Sequence, residues 1–81
     1  MRVKYIVIDE TAAVLTSGAL THADLARVAQ GKPINGAGFC SVDETGDDPV
    51  VHVWGESIGL RIKSRPEDAR FIKYIFSHDV I

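Results

Sequence analysis

Residues Gly36 to Lys63, GAGFCSVDETGDDPVVHVWGESIGLRIK, alternate β-favouring runs with dense turn signals, and no other stretch restricts the fold as tightly. Asp43 to Pro49 gathers charges and turn formers between two such runs, and Gly55-Glu56-Ser57 separates the second run from a third. The pattern predicts a three-stranded antiparallel meander. A first loop symmetric about Gly46 sets Cys40 opposite His52, Val42 opposite Val50 and Gly38 opposite Trp54. A second turn symmetric about Glu56 sets Trp54 opposite Ile58, His52 opposite Leu60 and Val50 opposite Ile62. Because strand side chains alternate, Cys40, Val42, Val50, His52, Trp54, Ile58, Leu60 and Ile62 then share one nearly apolar face. Phe39, Ser41, Val51, Val53, Gly59, Arg61 and Lys63 share the other, and a slip of one residue would mix the two sets.

The flanking segments supply a hairpin and two helices. Val3 to Ile8 (VKYIVI) and Ala13 to Thr16 (AVLT) are β-favouring runs on either side of Asp9-Glu10-Thr11, so an N-terminal hairpin is expected, its first strand covered on both sides because neither side is polar. Thr21 can cap a short helix, with Asp24 in the return position of a capping box; Leu25, Val28 and Ala29 with Ala26 form its apolar stripe. Gly31 supplies a left-handed stop and Pro33 prevents resumption. Ser64 and Glu67 form an S-x-x-E box with Pro66 in the first turn, predicting a helix from about Arg65 to Ser77. Ala69, Ile72, Ile75 and Phe76 are its expected buried stripe, flanked by Phe71 and Tyr74, and the stripe is expected to cover the meander.

An 81-residue chain is one domain, residues 1–81, little longer than the minimum for an autonomous core. With 46% hydrophobic and 25% charged residues the chain has the balance of a folded globular domain and not of a disordered one. No apolar run approaches the length of a membrane span, and MRVKYIVIDE turns acidic where a secretory leader would stay apolar, so no membrane association and a cytoplasmic location are expected. The single cysteine, Cys40, agrees with a reducing compartment. A net charge of -2 gives no global attraction to nucleic acid.

The candidate chemistry is sparse. The meander register makes Cys40 and His52 cross-strand neighbours, the first two parts of a nucleophilic site. Both fall on the face the last helix covers, and a catalytic cysteine needs exposure and an oxyanion site, so the pair reads as core. One Cys and three His without CxxC, HxxxH or HExxH do not make a metal centre; His22 is expected to be exposed, and His78 to sit just past the last helix. Asn35-Gly36-Ala37-Gly38 opens a strand, so it is not a phosphate-binding glycine loop, and Gly38 makes room for the Trp54 indole across the strands. Asp43, Glu44, Asp47 and Asp48 lack the spacing of a calcium loop and read as a solvated hairpin tip. Leu20 to Pro33 has the look of the first helix of a helix-turn-helix, but Ile34 to Gly38 cannot supply a recognition helix. No cofactor, metal, catalytic residue or small-molecule ligand is therefore expected.

Two surfaces remain. Phe39, Val51 and Val53 form an apolar patch on the second sheet face that needs a cover, which the hairpin, the first helix, a second subunit or a protein partner can provide. Arg61, Lys63, Arg65, Arg70 and Lys73 form a local basic set, offset by Glu67 and Asp68, so a solvated surface outweighs a nucleic-acid site there. The strings HADLAR, GKPINGAGFCSV, WGES and SRPEDA resemble short uncharacterised bacterial proteins of phage or prophage origin, and the resemblance implies a small accessory or assembly protein with no activity to assign to any residue. The expectation is thus an α+β domain: an N-terminal β-hairpin, a short helix, a three-stranded antiparallel meander and a C-terminal helix packed on the sheet. It is expected to act as a non-catalytic binding or assembly module, with a nucleic-acid-associated regulator using residues 61–73 as the alternative.

Overall fold

The computed structural model describes residues 3–16 and 21–77; the positions expected for His78, and the start of the chain, lie outside them. The N-terminal hairpin forms as expected. β1 (Val3–Ile8) pairs antiparallel with β2 (Ala12–Thr16). Asp9 and Glu10 both take left-handed φ, 52° and 51°, the mirror-image turn whose twist matches that of the strands. Neither is glycine, and the turn is held from outside: the Asp9 amide donates to the Pro33 carbonyl at 2.8 Å and the Glu10 amide to Asn35 Oδ1 at 2.7 Å.

The other side of β1 pairs with β3 (Ile34–Asp43), which pairs in turn with β4 (Val50–Trp54), giving one antiparallel sheet in the order β2-β1-β3-β4. β1 is therefore central, and Tyr5, Ile6 and Val7 have no exposed surface, which is why VKYIVI lacks a polar side. α1 (His22–Ala26) continues as a 3₁₀ turn, Arg27–Ala29, and ends at left-handed Gln30 and Gly31. Its capping box is the one the sequence spells: the Asp24 amide donates to Thr21 Oγ1 at 3.1 Å, and the Thr21 amide returns to Asp24 Oδ2 at 3.0 Å. Leu25 and Ala29 pack with Ile6, Ile8 and Ala37 on one face of the sheet, whereas Val28 stays exposed.

The register differs from the expected one by a single residue. Cys40 lies opposite Val53, Val42 opposite Val51, Ser41 opposite His52 and Phe39 opposite Trp54, because the β3–β4 loop spans 44–49 rather than turning about Gly46. The side chains accordingly sort into different sets. Cys40, Val42, Val51 and Val53 lie together beneath the C-terminal helix, and Phe39 and Trp54 stack on the opposite face with ring centroids 6.4 Å apart. Gly38 leaves room for the Trp54 carbonyl, which a Cβ there would approach to 2.6 Å, and not for the indole.

The third run of the meander does not extend this sheet. Left-handed Gly55 turns the chain, and β5 (Glu56–Ser57) and β6 (Ile62–Lys63) form a separate two-stranded ribbon. Leu60 and Ile62 pack from it against the cluster that α1 covers. α2 (Asp68–Ser77) lies on the other face, where Ile72 is fully buried against Tyr5, Val7 and Cys40. The α+β class and the packing of the C-terminal helix on the sheet are thus as expected. No helix among the described residues is long and apolar enough to cross a membrane.

Candidate functional site

The start of α2 is fixed by a buried carboxylate. Asp68 has no exposed surface, yet its oxygens accept from the Tyr5 hydroxyl at 2.6 Å, the Arg65 amide at 2.9 Å and Arg65 Nε at 2.9 Å. Arg65 spans outward from it to Glu10 at 2.6 Å. The carboxylate that reaches back three residues is therefore that of Asp68 to Arg65, one position on from the expected Glu67 and Ser64, and the helix starts later in consequence. Burial and the neighbouring Asp68 carboxylate hold the Tyr5 phenol above its ordinary pKa, and the hydrogen bond to Glu10 raises that of Arg65. Gly36 faces this carboxylate so closely that a Cβ there would collide with it.

Beyond Ile72 the helix changes character. Tyr74, Ile75 and Phe76 are 61%, 43% and 38% exposed, although Ile75 and Phe76 belong to the expected buried stripe. Arg70, Phe71, Tyr74 and Ile75 form one wall of a groove of about 450 Å³ whose other wall is Thr11, Ala12 and Ala13. The groove runs beside β2, which among the described residues is paired on one side only. It unites a predominantly apolar concavity with a sheet edge, the two components of strand-addition recognition. The Arg70 guanidinium lies 4.9 Å over the Phe71 ring at its rim. Sequence reasoning missed this groove. The signal was available in the apolar residues at 71, 72, 74, 75 and 76, too many for one buried stripe, and in the small, uncharged Ala12-Ala13 pair.

The patches expected from sequence are dispersed. Phe39 is on the α1 face of the sheet, edge-on to His22 at 5.6 Å, whereas Val51 and Val53 are half-buried under α2 on the other face, so the three do not form one surface. His22 is buried, not exposed as expected, because it opens α1 on the side facing the sheet, where its Nε2–H donates to the Gly38 carbonyl at 2.8 Å. Within the basic set, Arg65 is committed to Asp68 and Glu10, and Lys73 pairs with Asp48 at 3.0 Å. Lys63 is exposed opposite Glu56, Arg61 is exposed on the ribbon turn, and Arg70 lies over Phe71. Acidic neighbours thus accompany most of these cations, and the five do not make a uniform cationic face.

Cys40 and His52 project from opposite faces, so the expected cross-strand neighbours cannot share a proton. Burial pushes the Cys40 thiol up to about 11, the direction opposite to nucleophilic activation. Among the described residues no three His, Cys, Asp or Glu side chains converge as a metal site would require. No family model, curated protein or solved structure matches the chain.

Proposed function

We propose that this chain is a small non-catalytic docking or assembly module that engages another polypeptide along the β2–α2 edge. The observation that carries this reading is the coincidence of two unmet demands at one place. β2 has a free hydrogen-bonding side among the described residues, and the apolar residues of the last turns of α2 flank a groove beside it. An added strand would satisfy both, since its backbone would extend the sheet and its side chains would enter the groove. An accessory protein of prophage type, working in the cytoplasm through such contacts, is the role that the phage-like strings imply.

Photo-crosslinking in cells tests the reading. With benzoylphenylalanine in place of Tyr74, irradiation is expected to give a defined protein adduct that disappears when Ala12→Lys is added on the facing strand. The same group in place of Thr45, on the exposed loop between β3 and β4, is expected to give none. Absence of a Tyr74 adduct, or an adduct indifferent to Ala12→Lys, overturns the proposal.

A further inference from the structure

The proposed docking role rests on the β2–α2 edge, and the composition of that edge says what occupies it. Natural edge strands are commonly guarded against pairing by charge, proline or a bulge. β2 reads AAVLT and has none of the three, and its register with β1 runs unbroken from Thr16 to Ala12. An edge without guards is a template, and this template fits itself.

We infer that the occupant is a second copy of this chain, related by a two-fold axis through Val14, so that two β2 strands pair antiparallel and the two sheets become one. Under that operation Ala13 lies opposite Leu15 of the second copy and Leu15 opposite its Ala13, a small residue against a large one twice over. Ala12 meets Thr16 and Val14 meets Val14, with no like charges across the axis. A two-fold perpendicular to a sheet preserves its faces, so both α2 helices lie on the same side. Leu15 of the second copy, half-buried against its own core, then presents its outer side across from Ala13, beside the groove bounded by Tyr74 and Ile75. The opposite edge is less suited, because the same operation about the middle of β4 sets His52 against His52.

The area fits a weak contact. At about 200 Å² per large side chain, the exposed fractions of the two groove residues Tyr74 and Ile75 leave roughly 200 Å² at each helix end. Two such ends with two strand edges stay below about 1,000 Å², the range of weak and transient interfaces. A reversible dimer in the micromolar range is the expected species.

Sedimentation velocity on the purified chain across a concentration series tests this directly, with Val14→Cys as the second probe. The native thiol, Cys40, is fully buried and Val14 is half-buried on the α1 face, so the introduced thiol is the more accessible of the two, and strands paired about Val14 bring the two copies within disulfide reach. The expected result is a concentration-dependent dimer that Tyr74→Glu with Ala12→Lys abolishes without changing the circular dichroism spectrum. Val14→Cys is expected to form a disulfide dimer under mild oxidation, whereas Thr45→Cys does not. A monomer at every concentration, or equal crosslinking of both cysteine variants, overturns the inference. A monomer whose Tyr74 probe still captures a foreign polypeptide removes the second copy and leaves the docking role. Failure of both experiments removes both.

Discussion

At the first turns of α2, Asp68 and Ile72 have no exposed surface, and one side chain ties the helix to β1, Arg65 and, through Arg65, the hairpin turn. Three residues beyond Ile72, Ile75 is as apolar and more than two-fifths exposed. Both residues satisfy the same helical periodicity, so the difference does not arise from the helix but from the sheet beneath it. Ile72 lies over Tyr5, Val7 and Cys40 of the two central strands, and Ile75 lies beside the groove at the β2 edge. The helix therefore has one end that builds the domain and another that presents surface.

Substitutions at the two ends should separate these roles. The largest effect is expected from Ile72→Asp, which removes a fully buried side chain and places a charge in the core; the domain should lose its cooperative thermal transition by circular dichroism. Asp68→Ala leaves the Tyr5 hydroxyl and the Arg65 amide without their acceptor and should cost about 3 kcal/mol in a urea titration, with secondary structure retained. Alkaline pH should act through the same buried end. The unfolded thiol and phenol lose protons near 9.0 and 10.0, whereas folded Cys40 and Tyr5 hold theirs to higher pH. The unfolded state thus binds fewer protons in that range, so stability should be level below about pH 9 and fall above it, read as a declining urea midpoint. The smallest effect belongs to the exposed end: Ile75→Asp should change stability by less than about 1 kcal/mol. Unfolding by Ile75→Asp would erase the contrast.

Local signals were the most legible. Thr21 and Asp24 form their box at the spacing the sequence shows, and the hairpin turn falls at Asp9-Glu10. The capping box depends on residues within four positions of one another, and the hairpin turn is announced as locally, although Pro33 and Asn35 hold its amides from outside. The β3–β4 register was not legible, since a loop of six rather than seven residues shifts every pairing and the loop composition permits either. The seat of α2 was equally hidden. Ser64-x-x-Glu67 and Arg65-x-x-Asp68 both place a carboxylate three residues on, and Tyr5, 63 positions away, provides a buried partner for Asp68. The candidate groove depends on which apolar residues exceed the area of a four-stranded sheet, a quantity fixed only once the third run of the meander leaves it.

The close approach of Gly36 to the Asp68 carboxylate has a consequence for descent. A side chain at 36 and an acid at 68 compete for the same volume, so neither position is free to drift alone. A lineage that gained a methyl group at 36 would first have to shorten or surrender the acid, and with it the anchor for Tyr5 and Arg65. Geometry thus ties the two sites together: an aspartate seated as Asp68 is at the start of the last helix requires a residue without a side chain opposite it on the third strand.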